Sequence, residues 1–321
     1  MQLGLLTDSL SGMTRSSALD LAASLGIETV EIGLGGSRGG WSPAPHADVD
    51  ELLIDRQARS QLRRDIAGRG LRLEAFNAAG NPLHPTTGVQ DDRILRAALQ
   101  LAQEFEVGTV VAMSGLPAAP GDSFPAWITT VWPEENLRLL EHQWEIALDY
   151  WGALAGEASA RGVRIAVEMH ANQLVYSVPS LLHLREQVGA AIGANFDPSH
   201  LIWMGADPLA AARSLAGCIY HVHAEDTRIE AASAVRSRFE TLPNDQVEER
   251  AWNFVAVGTG HPDGAGFWTR LVAQLHDGGY GGALSIENED YRRSQADSVG
   301  LAAGVLKAAL DAHAAGGRAP R

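Results

Sequence analysis

The chain of 321 residues holds one cysteine, Cys218, and one lysine, Lys307; every other basic residue is arginine. A single cysteine excludes an intrachain disulfide and a thiolate metal cluster, and suits a reducing compartment. Lys307 lies in VLKAALDAHAAG on an expected outer helix. Schiff-base and pyridoxal chemistry, which need a buried lysine at the reacting centre, therefore drop out. No apolar run approaches the roughly 20 residues of a membrane span. The opening MQLGLLTDSL lacks the charged-then-apolar layout of a signal peptide. Positive charge is also scarce, with 25 Lys and Arg against 39 Asp and Glu and a net charge of −14. That balance opposes nucleic acid and anionic membranes, both of which bind through basic residues. No P-loop or Ser-His-Asp arrangement is seen, and GLGGSRGG (33–40) lacks the spacing and following helix of a dinucleotide site. The expectation is a cytoplasmic protein without nucleic-acid or membrane partners.

What is present is an alternation of β-rich runs and helical-period segments. Strands are predicted at 3–7, 29–33, 71–77, 109–113, 163–169, 192–196, 218–223 and 283–287. Eight strands with intervening helices predict an α/β fold, a single (β/α)8 TIM barrel over residues 1–313 with a disordered tail at 314–321. The segment 16–26 reads as an amphipathic helix capped by Ser16, and 134–161 as one long helix. Two loops are long, 114–133 after the fourth strand and 224–262 after the seventh. Such loops rise over the ligand face and serve as lids or walls.

Four of the later runs end on a polar residue: Glu168 in RIAVEMH, Asp197 in GANFDPSH, His223 in CIYHVHAED and Glu287 in GALSIENED. In a parallel barrel all carboxyl ends open on one face, where active sites are built. Three carboxylates and one imidazole there describe a divalent-metal site. Hard oxygen donors with one imidazole match Mn2+ best, with Mg2+, Co2+ and Zn2+ open. His200, three after Asp197, is a candidate substrate contact or the cap of the next helix. His170, His84 and Arg228 are further candidate substrate contacts, with Asn77 and Asn81 beside His84. His221 shares strand parity with His223 and reads as a packed residue. Trp127, Trp132, Trp203 and Trp252 are placed to stack on a sugar or an aromatic aglycone, whereas Trp144 and Trp151, seven apart on one helix, read as core.

The segments GNPLHP (80–85), VEMH (167–170), NFDPSHLIWMG (195–205), HVHAEDT (221–227) and SIENED (285–290) resemble the sugar isomerase/epimerase superfamily, the xylose-isomerase-like TIM barrels. The resemblance implies that Glu168, Asp197, His223 and Glu287 are the metal ligands, with His200 beside the substrate. It also implies Glu168 and Glu287 as the catalytic acid/base pair. Ketohexose 3-epimerases carry a second Glu where this chain has Leu174, and an Arg at a different spacing from Arg228. Relatives of this pattern often have Lys at the position of Glu225 and His at that of Asn288. Xylose isomerases proper use a lysine that is missing here.

The expected activity is a metal-dependent isomerase or epimerase of a sugar or keto-sugar, moving a proton next to a carbonyl through a cis-enediolate. The alternative is a lyase that uses the same proton abstraction to expel a β-substituent from a 3-keto-glycoside or C-glycoside. That alternative admits a small partner subunit. An apurinic endonuclease, opposed by the charge, and a non-catalytic metal-binding protein are further readings. A homo-oligomer is compatible with the sequence, and no basic cluster marks a phosphate site.

Overall fold

The computed structural model describes residues 1–36 and 43–316, so the end of the glycine-rich stretch 33–40 and residues 317–321 of the expected tail lie outside the described residues. Among the described residues, the parallel strands are β1 (Gln2–Leu6), β2 (Thr29–Gly33), β3 (Arg72–Ala78), β4 (Thr109–Met113), β5 (Arg164–Glu168), β6 (Ile192–Phe196), β7 (Ile219–Ala224) and, after two further strands, β10 (Ala283–Ile286). Their order, β1-β10-β7-β6-β5-β4-β3-β2, is that of a closed barrel. Every bound lies within one residue of its predicted place.

The chain forms two compact units. One holds residues 1–31, 64–72 and those from 196 onward. Its sheet is the parallel arc β2-β1-β10-β7, in register Thr29–Gly4–Ser285–His223. Partners in register point to one face, so Glu31, two residues beyond Thr29, shares that face with Ser285, His221 and His223. Gly4 sits between them on β1. A Cβ there would lie 2.8 Å from Thr29 Oγ1 and 3.1 Å from Ala283 Cβ. A side chain at that position would have to displace them. The opposite face is apolar, with Leu3, Leu5, Val30, Ile32, Val222, Leu284 and Ile286 all buried.

The loop after β7 is more ordered than its sequence indicates. It contains β8 (Asp226–Ile229) and β9 (Trp252–Val255), paired antiparallel. At their base Asp226, fully buried, accepts hydrogen bonds from the backbone N–H of Gly258, Gly260 and His261 at 2.9–3.1 Å and from Trp268 Nε1 at 3.3 Å. Burial raises its carboxyl pKa, and these donors oppose the rise. A side chain at Gly260 would strike Asp226 Oδ1 at 2.6 Å, which fixes the glycine.

The other unit holds residues 32–63 and 73–195, with β3, β4, β5 and β6 hydrogen-bonded in sequence. Its loop after β4 is held by side chains rather than by a ladder. Asn81 Oδ1 accepts from Leu83 N and Leu116 N, Gln143 donates to Pro117 O and Ala126 O, and Trp151 donates to Ser114 O. Trp151 is buried as expected, but Trp144 is only half-buried, edge-on to His183.

Three sequence expectations need correction. The first helix runs Arg15–Ser24 and is capped by Thr14, whose hydroxyl accepts from Ser17 N, rather than by Ser16. The last helix runs Gln295–Gly316 and passes the expected boundary at 313, because its alanines sustain helix where a tail was expected. His200 is not the cap of the helix Pro198–Met204. That cap is Asp197, and Pro198 at the first helical position suits the start. Among the described residues no helix is long and apolar enough to cross a membrane.

Candidate metal centre

Asp197, His223 and Glu287 end β6, β7 and β10 within the first unit, and each offers a ligand atom within 4.8 Å of the others. His223 is fully buried, Asp197 is 1% exposed, and the Glu287 side chain is the most open at 11%. His223 Nδ1 lies 2.7 Å from Glu287 Oε2. Asp197 divides its carboxylate: Oδ1 accepts from Ser199 N at 2.7 Å as helix cap, while Oδ2 lies 3.7 Å from His200 Nε2. Glu168, the fourth predicted ligand, ends β5 in the other unit. It is buried, and its Oε2 accepts from Asn195 Nδ2 at 3.0 Å.

Two further carboxylates in the first unit were not read as site residues from sequence. Glu31, on β2, is 1% exposed and lies against both imidazoles of β7. His221 Nε2 is 2.7 Å from its Oε2, His223 Nε2 is 3.1 Å from each of its oxygens, and Ser285 donates at 2.8 Å. Burial opposes its charge, but His223 and His221 outweigh it and hold the carboxyl well below the usual range. Glu225, two residues after His223, is also buried, and it groups with Asp197 and His200 within 4.8 Å. Burial first, then the carboxylates of Glu287, Glu289 and Asp197, push its carboxyl well above the usual range; the Ser199 hydroxyl, donating at 3.1 Å, opposes this.

Aromatic rings flank His200. Phe254 of β9 meets it edge-on at 5.5 Å, and Trp252 stacks on Trp203 at 4.7 Å and 6°. The Arg250 guanidinium lies 4.7 Å over Trp252.

The remaining predicted contacts have local partners. His84 Nδ1 accepts from Thr86 N and Thr87 N at 3.2 and 3.3 Å, ahead of the helix that begins at Gly88. His170, half-buried, has Nδ1 2.6 Å from Ala171 O. Arg228, on β8, pairs with Glu230 at 2.9 Å. Leu174 is buried, its N–H bonded to Gly115 O.

A donor set of carboxylates and one imidazole suits a divalent ion with oxygen and nitrogen ligands. Several buried negative groups around one point also require a cation or protons to coexist.

Residues 19–309 match the model of the family described as Xylose isomerase-like TIM barrel, and the chain belongs to that family. It is 42% identical over 314 residues to Uncharacterized protein YfiH of Bacillus subtilis (strain 168), covering 96% of this chain and 98% of that protein. Over 133 residues it is 26% identical to Inosose dehydratase of Geobacillus thermodenitrificans (strain NG80-2), covering 41% of this chain and 44% of that one. The solved structure of IOLI protein with a binding zinc atom shares the fold at a TM-score of 0.66 and 16% identity, covering 98% of this chain and 99% of that one.

Proposed function

We propose that the protein is a divalent-metal-dependent isomerase or epimerase of a non-phosphorylated sugar or keto-sugar. Glu168, Asp197, His223 and Glu287 hold the ion, and Glu168 and Glu287 exchange the proton next to a carbonyl. The observation that carries the reading is the convergence of Asp197, His223 and Glu287, a buried mixed oxygen and nitrogen donor set with its most open member a carboxylate. The zinc in the solved relative and the largely enzymatic character of the family support it. Mn2+ is the proposed ion. When bound it supplies Lewis-acid polarisation of a carbonyl oxygen. Glu287 removes or returns the proton at the carbon beside that carbonyl, and its partial exposure lets it meet a substrate. Glu168, steadied by Asn195, acts in the opposite sense. His200, set by Phe254 and Asp197, orients a substrate hydroxyl.

A second reading keeps the proton abstraction but ends in elimination. The relative named Inosose dehydratase favours it, and the stacked Trp203 and Trp252 would suit an aglycone. One experiment tests both: proton NMR of the Mn2+-loaded protein in D2O with free ketoses, inososes and 3-keto-glycosides. Deuterium entering beside the carbonyl without loss of a group is the expected result. Loss of water or an aglycone converts the reading to lyase. No exchange with any substrate overturns the enolisation chemistry. In Glu287→Gln the exchange falls by about 100- to 10,000-fold, the usual weight of a general acid or base.

A further inference from the structure

We infer that Glu31 is the positioning residue of the metal centre: it takes the Nε2–H of His223 and so presents the Nδ1 lone pair to the ion beside Glu287. The inference rests on the proposed ligand role of His223.

An ionised carboxylate can only accept hydrogen bonds, and a neutral imidazole carries its hydrogen on one nitrogen. Three potential donors stand close to the Glu31 oxygens. They are His221 Nε2 at 2.7 Å, Ser285 Oγ at 2.8 Å and His223 Nε2 at 3.1 Å from both oxygens. With Glu31 charged, both rings place their hydrogen on Nε2. The other nitrogen of His223, Nδ1, then carries its lone pair 2.7 Å from Glu287 Oε2. A lone pair and a carboxylate oxygen at that separation repel each other unless a cation or a proton joins them, and a ligating ion does so. A carboxylate that holds the far nitrogen of a ligating histidine fixes its tautomer and ring orientation and raises its basicity.

His221 has a different part. Its Nε2 takes the shortest of the imidazole contacts to Glu31, and its buried Nδ1 has no hydrogen-bond partner among the described residues. Holding the hydrogen on Nε2 leaves only an acceptor unpaired there. His221 and Ser285 thereby clamp the carboxylate that orients His223. On the intervening strand Gly4 lies in register with Thr29 and Ser285.

The test uses the whole chain, metal-free, with 15N-labelled histidine. Two-bond proton–nitrogen spectra at alkaline pH read the tautomers of His221 and His223, assigned with His221→Asn. In the metal-free parent both rings are expected to carry hydrogen on Nε2, with His223 Nδ1 sharing a proton with Glu287 that the ion displaces. In Glu31→Gln, His223 becomes a tautomer mixture, and Mn2+ affinity by calorimetry falls about 10- to 100-fold. Circular dichroism checks that the fold is kept. If Glu31→Gln does not fold, Ser285→Ala carries the test, with a smaller loss of affinity in the same direction. A His223 without hydrogen on Nε2 in the parent overturns the inference, as do unchanged tautomer and affinity in the variant. A second Mn2+ per chain that Glu31→Gln removes also overturns it, because Glu31 would then be a ligand. A parent protein that binds no Mn2+ defeats the metal reading alone, and the tautomers still decide the role of Glu31.

Discussion

Glu31 and Glu225 are both buried glutamates of the same unit, and their surroundings drive them in opposite directions. Around Glu31 stand two imidazoles and a hydroxyl; around Glu225 stand Glu287, Glu289 and Asp197, with the Ser199 hydroxyl as counterweight. The inner layer is a carboxylate satisfied by its donors. The outer layer is a set of carboxylates whose mutual repulsion a proton or a cation would relieve. On the proposed metal reading, the cation belongs beside the outer layer, where Glu287, Glu289 and Asp197 crowd Glu225.

The largest expected effect comes from supplying or removing that charge. Mn2+ at about 100 times its Kd should stabilise the fold by about 2.7 kcal/mol through binding linkage alone. Thermal melts with and without a chelator check this. A melting point indifferent to Mn2+ would erase the distinction between the layers. Chelation should also abolish proton exchange into substrate.

The next test separates the layers by pH. A carboxyl whose pKa is raised in the folded state keeps its proton after the unfolded chain has lost its own. Glu225 should therefore cost the metal-free protein stability as pH climbs from about 4.5 through its raised value. Glu31 has the opposite sign: its contribution is present above about 4.5 and is lost as pH falls through its depressed value. Denaturant titrations of the metal-free protein across pH should show the alkaline-side loss flattened in Glu225→Gln and the acid-side loss flattened in Glu31→Gln. Identical profiles in the two variants would collapse the comparison.

The smallest effect concerns the aromatic wall. Trp252→Leu removes the stack on Trp203 and should cost about 0.5–1.5 kcal/mol of stability. If a sugar or aglycone rests there, KM rises more than kcat falls. Equal changes in both would make the wall a structural element.

Much of this was legible in the chain. The eight β-rich runs gave the barrel strands because each is bounded by helix-ending glycines or polar turns, and the strand ends gave Asp197, His223 and Glu287. Glu31 was not legible. In TVEIG the alternation says only that it faces the same way as Thr29, and its partners lie about 190 or more residues away in sequence. Glu225 stood out only as a departure from the resembling family. The β8–β9 hairpin escaped because its strands are joined by residues 230–251 rather than by a tight turn with a recognisable signal. His84 and Asn81 make local hydrogen bonds in their loop, and residue types alone do not separate that role from a contact with a sugar hydroxyl.

Gly4 carries a consequence for inherited variation. A mutation that adds one methyl group there leaves every acid and every histidine of the protein untouched. The new carbon would nevertheless stand 2.8 Å from Thr29 Oγ1 and 3.3 Å from the backbone of Ser285, the residue whose hydroxyl donates to Glu31. A survey of variants restricted to chemically active residues would pass over this position.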